Sequence, residues 1–132
     1  MVTVVFYLEQ RELSGPDMHE WFKLRDEFGC ELVGIRWKHV EYNLDLDEIE
    51  IVPTIYHAFW PRAAATHVFL SEGGAVDFSS LPAPTGDVVY YIGRNAGGYR
   101  GELDDLAGLT IASLPGAGDL WAHEAARAVL ET

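Results

Sequence analysis

Two kinds of apolar pattern alternate along this chain. Val2 to Leu8 is apolar or β-branched at every position, which predicts a strand buried on both faces, as in a parallel sheet. Glu9 to Pro16 is polar, with Ser14-Gly15-Pro16 as its turn signal. Met18, Trp21, Phe22, Leu24 and Phe28 then recur at helical spacing. Asp17 is placed to cap that helix, with Glu20 three residues on, and Gly29 to end it. Glu31 to Ile35 reads as a second strand, so the first 35 residues form a βαβ unit with a right-handed crossover.

Further along, Ile55 to Arg62 predicts a short helix ending near Pro61, and Thr66 to Leu70 a strand followed by Ser71-Glu72-Gly73-Gly74. Phe78 to Pro84 reads as a connector. Val88 to Ile92 is β-branched and aromatic, and the glycines of Gly93-Arg94-Asn95-Ala96-Gly97-Gly98 favour a strand running into a tight loop. Glu102 to Leu106 predicts a short helix and Leu109 to Ala112 a strand, with Pro115-Gly116-Ala117-Gly118 after it. Asp119 to Glu131 closes as an alanine-rich helix that Asp119 can cap. The sum is an α/β fold, a mostly parallel sheet of five to six strands flanked by helices. Three Gly-bearing loops follow three strands, after Leu70, Ile92 and Ala112. Ligands of open α/β sheets collect outside the carboxyl ends of strands, so these loops are the candidate site.

Composition narrows the picture. The chain has 132 residues, 48% of them hydrophobic, which suits a single domain over 1–132 with a true core. No apolar run is long enough to span a membrane, and the start Met1-Val2-Thr3-Val4 has no basic leader, so a cytoplasmic location is expected. Cys30 is the one cysteine and reads as a buried small hydrophobe. The formal net charge of -12 counts against a simple nucleic-acid binder. Basic residues do gather as Lys23 with Arg25, Arg36 with Lys38, and Arg94 with Arg100.

The acidic run Asp45, Asp47, Glu48, Glu50 has no histidine at a ligand spacing and reads as a solvated face. The five histidines are dispersed, and no metal is expected. Trp21, Trp37 and Trp60 read as core or interface. Tyr56, His57, Phe59 and Trp60 form the densest aromatic patch, expected at a dimer contact or in the core.

At this point the chain resembles the SPOUT superfamily of RNA methyltransferases, in particular the branch that methylates ribose 2′-oxygens. The family's first helix carries N-x-G-x-x-x-R-x-x-x-x-F-G. Here the same register runs from Asp17 through Lys23 to Phe28-Gly29. A later strand carries G-x-E-x-x-G, matched by Gly93, with Asn95 at the glutamate and Gly98 at the last glycine. The final motif is I-P-M-x-G-x-x-x-S-L-N, whose Ile, Ser, Leu and Asn fall at Ile111, Asp119, Leu120 and Trp121. The resemblance covers nearly the whole chain. It implies a C-terminal trefoil knot, S-adenosylmethionine as cofactor, a homodimer, and structured, tRNA-like RNA as substrate.

By the same resemblance, Lys23, Asn95 and Asp119 stand at catalytic positions. Leu70, Ile92, Ile111, Leu114 and Leu120 would wall the cofactor, with close backbone approach at Gly93, Gly98 and Gly116. Three departures fall on chemistry. Lys23 keeps the charge of the motif arginine but not its planar fork. Asn95 cannot take a proton as a carboxylate does. Trp121 is bulky where the family has asparagine. The first expectation is an S-adenosylmethionine-dependent RNA methyltransferase or a methyltransferase-like protein. The second is a non-catalytic SPOUT-like homodimeric binding or assembly module. A third, a flavodoxin-like nucleotide binder, lacks any G-x-x-x-x-G-K-[ST] phosphate loop and ranks last.

Overall fold

The computed structural model describes residues 1–9, 15–36, 49–71, 76–93, 110–114 and 120–132. In chain order these form β1 (Val2–Leu8), α1 (Gly15–Phe28), β2 (Glu31–Arg36), β3 (Glu50–Val52) and α2 (Ile55–Phe59). They continue with a 3₁₀ turn at Trp60–Arg62, β4 (Thr66–Leu70), β5 (Val76–Asp77) and a 3₁₀ turn at Phe78–Ser80. β6 (Val88–Ile92), β7 (Thr110–Ser113) and α3 (Ala122–Leu130) complete the order. The seven strands make one sheet in the order β3-β2-β1-β6-β4-β7-β5. Every pairing among them is parallel. The order reverses beside β1, whose neighbours are β2 and β6, so the sheet is doubly wound with a switch point there.

Both faces of the sheet are covered, which is why its strands are apolar without alternation. On one face Val4, Phe6, Leu8, Leu32, Val68, Leu70 and Ile92 pack with α1 and α3. On the other, Val5, Tyr7, Val33, Ile35, Phe69, Val89 and Tyr91 pack with α2. Trp21 is fully buried and stacks on Phe6, ring centroids 3.9 Å apart. Cys30 is buried, and burial pushes its thiol pKa up, as suits a small core hydrophobe. Gly29 ends α1 in the left-handed region at φ 66°, its N–H donating to the Arg25 carbonyl at 2.9 Å.

Several expectations need correction. The sheet has seven strands rather than five or six. β3 and the short β5 were not legible, because three- and two-residue strands carry no periodicity. α1 begins at Gly15, so Asp17 lies in its first turn rather than at its cap. Pro16, with no N–H to leave unpaired, suits that first turn. α3 runs Ala122–Leu130 with Trp121 in the cap position, where the Glu124 carboxylate accepts the Trp121 N–H at 2.9 Å. The capping assigned to Asp119, the helix expected at 102–106, and Trp37 lie outside the described residues.

The close approach of β1 and β2 generates a stability prediction. A Cβ on Gly34 would meet Leu8 Cδ1 at 2.6 Å and Leu8 Cγ at 2.7 Å in a closed core. Gly34→Ala is therefore expected to lower unfolding free energy by about 1–3 kcal/mol. Combined with Leu8→Ala, it should cost less than the sum of the two single changes. Urea denaturation of the four proteins checks this, and strict additivity would count against the overlap.

Candidate functional site at the strand ends

Parallel registration brings three strand ends together. Leu70 pairs with Ile92 on one side and with Ala112 on the other. Beyond the paired residues, the Ser71 N–H still donates to the Ala112 carbonyl at 2.9 Å. The loops that follow Leu70, Ile92 and Ala112 therefore leave from one edge of the sheet. Leu70 and Ile92 are buried there, and half-buried Leu114 and Leu120 pack against the same apolar cluster. Ile111 instead faces the opposite core, with Phe69 and Tyr91. Gly93 is partly exposed at the end of β6. Asn95, Gly98, Gly116 and Asp119 lie outside the described residues.

The helices frame this edge. Asp17, buried in the first turn of α1, has Oδ1 3.6 Å from Nε2 of His123 on α3, a polar contact between the two helices. Sequence reasoning missed this pair, because the two residues meet only once α1 and α3 pack. Lys23, half exposed on α1, points its ammonium at Glu20 Oε1, 3.6 Å away. Trp121, 44% exposed, is held at the head of α3 by its own N–H to Glu124 and its carbonyl to the Ala125 N–H at 2.9 Å. Of the apolar residues of α3, Ala122, Ala125, Ala126 and Val129 are buried within this chain, and Ala128 and Leu130 are half-buried. Most of the alanine surface of that helix is thus covered by this chain itself. In the aromatic patch, Phe59 is core, whereas Trp60 is 62% exposed.

At the opposite edge a polar network locks the sheet. Arg62 donates to Glu31 Oε1 at 3.0 Å, to Glu50 Oε2 at 2.8 Å and to the Ala58 carbonyl at 3.0 Å. Partial burial opposes its charge, but the bonds to Glu50 and Glu31 outweigh that and hold its pKa above the ordinary range. His67 Nε2 lies 2.7 Å from the Arg62 carbonyl and Nδ1 2.8 Å from the Tyr91 hydroxyl. A carbonyl can only accept, so Nε2 carries the proton and Nδ1 accepts from Tyr91. Burial pushes the Tyr91 phenol well above its usual range. A cavity of about 350 Å³ opens beside Arg62 and Asp87, yet its charges are already matched, Asp87 by the Met1 ammonium at 3.1 Å. Among the described residues, no group of three or more His, Cys, Asp or Glu side chains could hold a metal ion. None of the described helices is long and apolar enough to cross a membrane.

With this geometry in hand, comparison with solved structures finds the same fold in SpoU and TrmH-family RNA methyltransferases. A candidate RNA methyltransferase from Bacillus anthracis matches at a TM-score of 0.75 and 14% identity, over 99% of this chain and 91% of that one. The SpoU methyltransferase AviRb from Streptomyces viridochromogenes, solved with the cofactor AdoMet, matches at 0.68 and 20% identity, over 98% and 55%. A structure from work on the 2-OH methylation of tRNA matches at 0.63 and 17%, over 99% and 85%. The chain thus spans most of the Bacillus protein and about half of AviRb. At these identities the likeness is one of fold. No protein-family model matches the chain, and no curated protein matches it by sequence.

His67 yields a pH prediction. Burial holds its folded pKa below the ordinary 6.5. Its neutral form therefore contributes stability that is present above about pH 6.5 and lost as pH falls through the folded pKa. Urea midpoints should drop between about pH 7 and 5 in the native protein and drop less in His67→Gln. Identical slopes in the two proteins would contradict this role.

Proposed function

We propose that this chain is an S-adenosylmethionine-dependent RNA methyltransferase-like domain, with the cofactor held at the edge where β4, β6 and β7 end. The observation that supports this is the registered ending of β4, β6 and β7 at apolar Leu70, Ile92 and Ala112, with Leu114 just beyond, on a fold matched over 99% of the chain. These apolar side chains suit the faces of an adenine ring, and Gly93 leaves room for close backbone approach. A sulfonium cation also suits a chain of net charge -12. When bound, the cofactor supplies an electrophilic methyl group. The task of the chain is to hold an RNA hydroxyl in line with it and exclude water. Asn95, Gly98, Gly116 and Asp119 are assigned to the same site by their sequence register alone. Ile111, facing the other core, would act on the cofactor only through the sheet. A C-terminal knot belongs to this reading, supported by β7 lying between β4 and β5, two strands that precede it.

A second reading, a non-catalytic homodimeric SPOUT-like module, is favoured by a specific observation. Lys23, at the motif arginine, is engaged with Glu20 on its own helix, and Trp121 presents an indole where the family has asparagine. In the first reading RNA phosphates would be met by Arg94 and Arg100, which follow Gly93 in sequence.

Calorimetric titration with S-adenosylmethionine separates these ideas from an unrelated use of the fold. The native protein is expected to bind it, and Gly93→Val to bind at least about tenfold more weakly. Absence of native binding, or undiminished binding by the variant, would remove the cofactor assignment. Tritiated-methyl transfer to bulk tRNA then divides the two readings. Robust transfer by the native protein means that Lys23, Asn95 and Trp121 do not disable it. Transfer gained only by the Lys23→Arg, Asn95→Glu, Trp121→Asn triple variant means a degenerate site on a kept fold. Sedimentation at micromolar concentration tests the dimer, which a 14.7 kDa species would contradict.

A further inference from the structure

A cavity of about 570 Å³ lies below the strand-end edge. Its floor is the sheet face toward α3: Thr66 and Val68 of β4, Val88 and Tyr90 of β6, and Thr110 of β7. Its wall is the segment that returns from β5 at the sheet margin to β6 near the middle, led by Phe78 and Leu81. Its lining runs from Thr66 and Val88 up to Val68, Tyr90 and Thr110, each two residues, about 7 Å, before Leu70, Ile92 and Ala112. The cavity therefore lies below the proposed cofactor edge, along the same strands.

The wall is built to hold its shape. Asp77 Oδ1 accepts from the Ser79 N–H at 2.9 Å and from the Ser79 hydroxyl at 2.8 Å. The Ser80 hydroxyl donates to the Asp77 carbonyl at 2.7 Å, and the Leu81 N–H to the Phe78 carbonyl at 3.1 Å. Pro82 and Pro84 then fix the backbone of the next stretch. Phe78 meets Tyr90 edge to face, ring centroids 6.0 Å apart. A preformed apolar hollow of this size, with a few polar groups, is the ordinary form of a small-molecule site.

We propose that this cavity binds an uncharged, mainly apolar small molecule carrying one hydrogen-bonding group. Charge decides the class. No side chain that lines the cavity is ionised at neutral pH, although 30 of the 132 residues of the chain, 9 basic and 21 acidic, are. An anion would meet the field of a chain of net charge -12 with no cation to receive it. A cation would lose its hydration with no side-chain carboxylate in the lining to replace it. The Tyr90 ring is partly buried on the cavity face, and its hydroxyl bonds no group among the described residues. It is the natural partner for the polar group of the ligand, with the Thr66 and Thr110 hydroxyls at the same floor.

The test uses the native chain with N-phenyl-1-naphthylamine, a neutral fluorophore, and with 8-anilinonaphthalene-1-sulfonate, the same body carrying a sulfonate. Saturable one-to-one fluorescence enhancement is expected for the neutral probe, at least about tenfold tighter than for the anion. Ala83→Glu, on the exposed wall, should weaken the neutral probe at least about tenfold by placing a charge in the lining. Tyr90→Phe, which keeps the ring and the fold, should weaken it about fivefold through one lost hydrogen bond. Excess S-adenosylmethionine should leave the probe bound, whether or not the cofactor binds elsewhere. No saturable binding, equal binding of the anion, displacement by S-adenosylmethionine, or neutral binding undiminished in both variants would each overturn the assignment.

Discussion

The parallel register of β1, β6, β4 and β7 is the constraint on which the rest depends. It sets Leu70 beside Ile92 and Ala112, so three chain segments leave the sheet at one edge. It also sorts the side chains of each strand between two cores, Val4, Phe6 and Leu8 to one and Val5 and Tyr7 to the other. A slip of one residue would exchange every one of these faces, so the register is strongly held. Gly34 adds to that specification, because only a residue without Cβ lets Leu8 fill the space above β2. The floor of the proposed cofactor site is a consequence of strand pairing, not of any single motif.

Electrostatics divides the molecule between two ends. At the edge away from the strand-end loops, Arg62 ties β2, β3 and α2 together through Glu31, Glu50 and the Ala58 carbonyl. Elsewhere the cations also meet carboxylates: Lys23 with Glu20, Arg25 with Asp26, and Arg127 with Glu27 and Glu131. Exposed pairs of this kind contribute little stability. Their effect is to leave little unneutralised positive charge on the helices. A partner rich in phosphate would then depend on the other basic residues of the sequence, Arg11, Arg36, Lys38, Arg94 and Arg100, the last two flanking glycines after β6. An apolar or cationic small molecule faces no such barrier, which agrees with the chemistry assigned to both proposed sites.

Much of the fold was legible because its strands are long, continuous apolar runs. Val2–Leu8, Thr66–Leu70 and Val88–Ile92 are found where the pattern put them, and Gly29 ends α1 as its type suggests. What escaped was set by tertiary contact. β3 and β5 exist because a neighbouring strand pairs with them. Asp17 looked like a cap but is drawn inside α1, facing His123 across a helix contact with no sequence signal. Three of the four alanines of α3, Ala122, Ala125 and Ala126, pack in the core with the sheet and α1. Sequence spacing named Leu70, Ile92, Leu114 and Leu120; the first two lie in the core beneath α1 and α3, and the last two pack against that core. Spacing could not show that Ile111, one residue before buried Ala112, turns to the opposite face. The wall cavity left no motif at all, because its residues come from four separate stretches.

The central claim is that the edge where β4, β6 and β7 end is the place where this chain receives S-adenosylmethionine. The most direct measurement is residue-resolved amide chemical-shift mapping of the native protein as the cofactor is added. The account predicts the largest changes at Leu70–Ser71, at Ile92–Gly93 and from Ala112 to Leu114, with Thr66, Val88 and Thr110 at the far end of the same strands little changed. Changes concentrated at Thr66, Val88 and Thr110, or none anywhere at saturating cofactor, would contradict it.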